Sequence, residues 1–259
     1  STDATSAVLS HLAKQTDNKL RWVVESSVGR ANARNRGIRE ARGQLILFLD
    51  DDIEVLSDHL ERHWRLHCET TQPVAVIGHV VDRSIIRPSW LGDYMIARQI
   101  AGNRKPDRSR QDIPMGLHFA TGSVSLLRST LDIVRLGNDE PARYFSPEFV
   151  VRQDGEIGCR LAKAGVRMVF ADQILCFHHH PRTWRDVWER SFQVGYYTAR
   201  LIQRHPKIQE AAAKHLSTSY LLNLGLLMSC LALFVPAYLV RSLYPAALRK
   251  VVGGILLFR

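Results

Sequence analysis

Residues 45–55 read "LILFLDDDIEV", five apolar residues running without a break into three carboxylates. A short apolar run bounded by polar residues reads as a strand covered on both faces, the kind found in α/β sheets. Ligands of such open sheets gather outside the carboxyl ends of the strands, and Asp50, Asp51 and Asp52 fall at that place. A single aspartate there would pass as a turn or cap residue. Three in succession repel one another unless a cation or a basic group is close by. Carboxylates are hard oxygen ligands suited to Mg²⁺ or Mn²⁺, ions that usually bridge to substrate phosphates. The stretch therefore points to a metal–diphosphate site.

Working outward, the flanks alternate between strand and helix patterns. Residues 4–15 form a helix pattern with Thr2 or Asp3 as its cap, and "LRWVV" (20–24) is a short strand candidate. "GRANARNRGIREARG" is rich in helix formers and closes on Gly43, a natural helix-end residue. After the aspartates, Ser57 caps a helix over "DHLERHWRLHCETT", and "VAVIGHVV" is the next strand. Short connections between alternating strands and helices predict an α/β fold with a mostly parallel sheet and flanking helices. Residues 82–114 lose periodicity and read as a long basic loop. "LHFATGSVSLLRS" restores strand character with Gly122 at a bulge or close approach, residues 154–164 read as a helix ending at Gly165, and "VRMVF" and "ILCFHH" are two more strands. Residues 183–205 form a long amphipathic helix containing Trp184 and Trp188, which stand four apart on one face and suit packing or a membrane interface.

Composition narrows the class. The chain has 259 residues, 46% hydrophobic, enough for a real core. A formal charge of +10 favours anionic partners, although the basic residues are scattered and no nucleic-acid reading motif appears. No nucleic-acid partner is expected. Four cysteines without a C-x-x-C pair suit a reducing compartment. Residues 216–240 contain no charged side chain, and about 20 apolar residues suffice to span a bilayer. The expected organisation is a catalytic domain over 1–206 followed by a membrane-associated hydrophobic helical segment over 207–259.

The stretch "GRANARNRGIREARGQLILFLDDDIEV" resembles the family 2 glycosyltransferases of the GT-A fold. The similarity continues in "FATGSVSLLRST", "QDGEIGCRLAKAGVRMVF" and "ILCFHHHPRTW", a collinear set spread over about residues 1–206. The resemblance implies an inverting, metal-dependent transfer of a sugar from a nucleotide-diphosphate donor to a hydroxyl of a glycan or lipid-linked acceptor, at the cytoplasmic face of a membrane. Asp50 and Asp52 would form the D-x-D pair, with Asp52 the direct ligand of Mn²⁺ or Mg²⁺ and Asp50 nearer the ribose. Arg30 and Arg34, one helical turn apart, would hold the nucleotide, for which a planar guanidinium suits phosphate. His178 would complete the metal shell, with His180 as the alternative.

Asp154 is the catalytic base that this resemblance implies, since inverting transfer needs a carboxylate to take the acceptor proton. It also suits the first turn of a helix, where a negative charge favours the dipole. The family usually has Glu-Asp at this place, and this chain has Gln153-Asp154. Glu156 reads as a first-turn acid. The resemblance further implies that the chain starts after the family's first β–α–β unit, leaving the "LILFL" strand with an open apolar edge prone to association. A haloacid-dehalogenase-type phosphohydrolase also places D-x-D after an apolar strand, but it wants Thr or Val where this chain has Glu54, and no downstream G-D-x-x-x-D is present. A basic membrane- or nucleic-acid-binding protein would have no need of "LDDDI", "QDGE" and "HHHP" in this order.

Overall fold

The computed structural model describes residues 4–17, 19–83, 86–87, 119–138, 140–179 and 182–206. In chain order these form α1 (Thr5–Gln15), α2 (Arg30–Glu40), β1 (Leu45–Leu49), β2 (Ile53–Val55), α3 (His59–Cys68), β3 (Val74–Asp82) and β4 (Ile86–Arg87). There follow β5 (Ser123–Leu127), α4 (Arg128–Asp132), α5 (Gln153–Lys163), β6 (Arg167–His178), β7 (Arg182–Thr183) and α6 (Trp184–Arg204). Residues 216–240, where the sequence suggests a membrane contact, lie outside the described residues, as does most of the loop at 82–114. Among the described residues no helix is long and apolar enough to cross a membrane.

Five strands make one sheet in the order β1-β5-β3-β6-β2, and β4 pairs with β7. The expected mostly parallel sheet is corrected to a mixed one. Within it only β3 and β6 run parallel, while β1/β5, β3/β5 and β2/β6 are antiparallel. The reason lies in the connections. Parallel neighbours need a crossover of a dozen residues or more. Here a three-residue turn, closed where the Ile53 N–H donates to the Asp50 carbonyl at 3.2 Å, reverses the chain after β1, so that β2 at the opposite edge runs antiparallel to β6.

Two strand expectations change. Residues 20–24 form no strand: they do not pair with the open outer edge of β1. They are fastened to α2 instead: Arg21 Nη2 donates to the Glu40 carbonyl at 2.7 Å, and Arg39 lies 4.0 Å from Glu25. Val24 is left 71% exposed, so this segment contributes little to the core. "VRMVF" and "ILCFHH" merge into the single long strand β6. Its register against β3 jumps from Gly78↔Ala171 to His79↔Leu175, so residues 172–174 bulge out.

The two faces of the sheet are filled differently. On one, Ala31 and Ile38 of α2, Ile157 and Leu161 of α5, and Ile46, Phe48, Ala75, Val124 and Leu126 of the strands form a large apolar core. On the other, the apolar cluster is small, with Val74, Val76, Ala171 and Ile174. A polar ladder takes up the remaining space. His59, His63 and His67 follow one another at four-residue spacing along the buried side of α3. His63 shares hydrogen bonds with Ser125 Oγ through Nδ1 (2.8 Å) and with Ser123 Oγ through Nε2 (3.3 Å). His59 Nε2 meets Ser123 Oγ at 3.2 Å, and His67 Nε2 meets Ser125 Oγ at 2.9 Å. Across the sheet, Gly78 is required because a side chain there would collide with Ser123.

This ladder makes the fold acid-sensitive. Burial, with repulsion from His59 and His67, pushes the His63 pKa down to about 4. His59 and His67 are lowered too, mainly by burial, with Asp58 acting in the opposite direction on His59. An unfolded histidine titrates near 6.5, so below that pH the unfolded chain takes up a proton that the folded one refuses. Stability is therefore complete above about pH 6.5 and falls as the pH drops toward 4, with His63 alone contributing a loss on the order of 2 kcal/mol by pH 5. Urea unfolding at about pH 7.5 and pH 5 checks this, and His63→Gln, which does not titrate, should flatten the difference. An equal midpoint at both pH values in the parent chain would count against the ladder.

Candidate functional site

Strands β1, β3 and β6 point the same way, so their carboxyl ends share one edge of the sheet. The turn carrying Asp50, Asp51 and Asp52 crosses this edge, where the Asp50 N–H reaches the Gly122 carbonyl at 3.4 Å. Gly122 lies beside this turn, and a β-carbon there would meet Asp50 Oδ2 at 3.8 Å, an ordinary contact that does not demand a glycine. The helices α2 and α5 each turn back into a strand, β1 and β6 respectively. Their amino-terminal turns therefore lie toward this same edge.

Two pairs of candidate residues come together. Arg34 Nη2 donates to Asp50 Oδ1 at 3.2 Å, and its guanidinium lies 5.6 Å from the centre of the Phe145 ring. His178 Nε2 lies 3.1 Å from Asp52 Oδ2. Antiparallel pairing of Ile53 with His178 sets up the second contact, reinforced where the His179 N–H donates to the Asp52 carbonyl at 2.8 Å. His179 in turn meets Glu54 Oε2 at 2.7 Å. Arg83, just past β3, stacks on Phe177 with its guanidinium 3.5 Å from the ring centre and adds positive charge at this edge. Asp51 and Arg30 are exposed, Arg30 as the first residue of α2. His180 lies outside the described residues.

The Asp52–His178 geometry suits a divalent ion. Neighbouring ligands of an octahedral ion bound at 2.0–2.1 Å stand about 3 Å apart, close to the separation of Oδ2 and Nε2 here. Among the described residues no group of three or more His, Cys, Asp or Glu side chains is arranged to hold a metal. A carboxylate and an imidazole at this separation could serve as two protein ligands of an ion whose remaining positions are filled by substrate phosphates and water.

Asp154 stands in the first turn of α5, partly exposed, with Oδ1 accepting the Gly155 N–H at 2.8 Å. Gln153 beside it is buried, and its Oε1 has no hydrogen-bond partner. Glu156, a first-turn acid as expected, is fully buried and serves as a hub. It accepts Arg160 Nη2 at 2.8 Å and Nε at 3.0 Å, with Arg204 Nε at 3.7 Å and His205 Nε2 at 3.6 Å. Arg160 continues to the carbonyls of Val134 and Tyr144.

A groove of about 400 Å³ runs along β1, walled by Arg34, Gly37 and Ile38 of α2 and by Ala41 just after it, together with the strand itself. Asp52, His178 and Asp154 do not line it. Its largely aliphatic walls, with Arg34 the one charged side chain among the described residues there, mark it as the space beside the open edge of β1.

Asn35, in the middle of α2, did not stand out in the sequence. It is buried, accepts the N–H groups of Tyr144 and Phe145 at 2.9 and 2.8 Å, and donates to the Phe145 carbonyl at 2.8 Å. A signal was available: asparagine is a poor former of helix interiors, so its place there called for a bonding reason.

The mixed sheet with helices on both faces and acids at its carboxyl edge is a GT-A-like arrangement, and the comparisons agree. The Glycosyl transferase family 2 model matches residues 1–133, and the chain belongs to that family. It is 27% identical over 180 residues to a pre-mycofactocin glycosyltransferase of Mycobacterium tuberculosis, a match covering 70% of this chain and 36% of that one. The chain thus spans about a third of the length of that relative. Among solved structures it is similar to the mannosyltransferase PcManGT of Pyrobaculum calidifontis, in complex with GDP-Man and Mn²⁺. That match has a TM-score of 0.60 and 21% identity, and covers all of this chain and 69% of the other. It is also similar to glucosyl-3-phosphoglycerate synthase of M. tuberculosis, with a TM-score of 0.45 and 16% identity over 79% of this chain and 65% of that one.

Proposed function

We propose that the chain transfers a sugar, with inversion, from a nucleotide-diphosphate donor to an acceptor hydroxyl, using Mn²⁺ or Mg²⁺. The observation that carries this reading is the Asp52–His178 pair, set at ion-binding distance beside the Arg34–Asp50 pair. The GDP-Man and Mn²⁺ bound to the similar mannosyltransferase support the same donor class. When bound, the ion would neutralise charge growing on the departing diphosphate. Asp52 and His178 would hold the ion and Asp50 would face the ribose, while Arg34 and Arg30 would bind the nucleotide. As the bond from the sugar to phosphate oxygen breaks, the acceptor oxygen bonds to the same carbon from the opposite side, and Asp154 takes its proton. The acceptor would be a glycan, a lipid carrier or another hydroxylated metabolite. Residues 207–259 would keep the protein at the cytoplasmic face of a membrane.

A panel of nucleotide sugars incubated with Mn²⁺ or Mg²⁺ and followed by nucleotide release tests this reading. One donor should release nucleoside diphosphate in a metal-dependent way. Asp52→Ala should lose the metal-dependent part of donor binding, because one carboxylate is a large share of a small ion's protein ligands. Release of inorganic phosphate, or unchanged metal dependence in Asp52→Ala, would overturn the assignment.

A further inference from the structure

Arg152 sits immediately before α5 with φ 66° and ψ 16°, in the left-handed region. A residue with a β-carbon pays roughly 1–3 kcal/mol for such a conformation, which persists only where the surroundings impose it. The surroundings here come from α6. Arg152 Nε donates to Thr198 Oγ1 at 3.2 Å, and Thr198 is itself anchored to the Val194 carbonyl at 2.6 Å. One turn further on, Leu201 lies against Gly155, its Cδ2 3.4 Å from where a β-carbon would stand. Thr198 and Leu201 share a face of α6, so the helix grips the chain on either side of Asp154. The Arg152 carbonyl meanwhile accepts the first backbone bond of α5, from the Glu156 N–H at 2.9 Å.

We infer that Arg152, tethered to Thr198, is a positioning residue that aims the Asp154 carboxylate, an inference resting on the reading of Asp154 as the base. The left-handed turn sends Gln153 into the core and leaves Asp154 partly exposed at the sheet edge. Were the tether cut, the turn could relax toward ordinary helical geometry and swing the carboxylate away from the acceptor. The ion site, built on other elements, would be untouched.

Four variants of the full chain test this: Thr198→Val, Thr198→Ser, Arg152→Ala and Asp154→Asn. The probes are GDP-mannose and UDP-glucose with Mn²⁺, with nucleotide release, donor affinity and melting temperature measured for each. Thr198→Val and Arg152→Ala should lower turnover between tenfold and a hundredfold, the order of loss that a small misplacement costs, at unchanged donor affinity and melting temperature. Thr198→Ser, which keeps the hydroxyl, should retain turnover. Independently of activity, the Glu156 amide should exchange its hydrogen faster in Thr198→Val than in the parent chain. Parent-like turnover and exchange in both Thr198→Val and Arg152→Ala would overturn the positioning role. Parent-like turnover in Asp154→Asn would instead remove the base, and with it the reading on which the inference rests.

Discussion

Asp154→Asn should lower sugar transfer by roughly 10²–10⁴-fold, the contribution of a positioned general base. The substitution is close to isosteric. An asparagine Oδ1 can still accept the Gly155 N–H that Asp154 accepts at 2.8 Å, so the start of α5 should remain formed. What it cannot do is take a proton. Donor binding, which the proposal assigns to Asp50, Asp52, Arg30, Arg34 and His178, should be unaffected. Initial rates of nucleotide release at saturating donor, beside a calorimetric donor titration, separate the two quantities. A variant within twofold of the parent rate would exclude Asp154 from the chemistry.

The second large effect concerns stability. Glu156→Gln should destabilise the fold by roughly 3–5 kcal/mol, the usual cost of removing one partner from a buried ion pair. Glu156 is fully buried, and its side chain faces Arg160 from its own helix and Arg204 and His205 at the end of α6. Removing the charge leaves the Arg160 guanidinium, only 15% exposed, without its counter-ion. The same guanidinium holds the carbonyls of Val134 and Tyr144, so the damage should spread into the segment before α5. His205, whose pKa burial lowers, should suffer less because it can remain neutral. Urea unfolding monitored by circular dichroism measures the loss. A midpoint equal to the parent's would show that the hub contributes no net stability.

Much of the site could be read from residue types at element ends. The apolar run of β1 ending in three aspartates, the helix beginning near Asp154 and the histidines closing a strand all encode their places locally. Periodicity and turn chemistry are short-range properties, and these elements satisfy them. Strand direction is different, because it depends on which distant segment pairs with which. The reversal of β1 into β2 therefore had no local signature, and "LRWVV" carries strand composition yet pairs with no strand. The His59–His63–His67 spacing was visible but reads equally as a solvated face. Only the serines at 123 and 125, arriving from a strand far along the chain, make it an interior. Arg152 was illegible for a similar reason, since arginine has no preference for the left-handed region and only α6 holds it there.

The bulge at residues 172–174 bears on how this chain tolerates insertions and deletions. Below it, β6 is locked in register to β3 through the core, and beyond it the strand is counted afresh from Leu175 opposite His79. Loss of an exposed bulge residue, Asp172 or Gln173, can be absorbed by straightening the strand, leaving the buried Ile174 in the core and His178 opposite Ile53. A residue lost after it, among 175–177, would move every later side chain by one place, a slip that normally exchanges one face of a strand for the other. At this strand end the next residue is again a histidine, as is the one after. An imidazole would then still arrive beside Asp52, so repetition at the strand end, together with slack in its middle, buffers the proposed ion site against frame errors in the sheet.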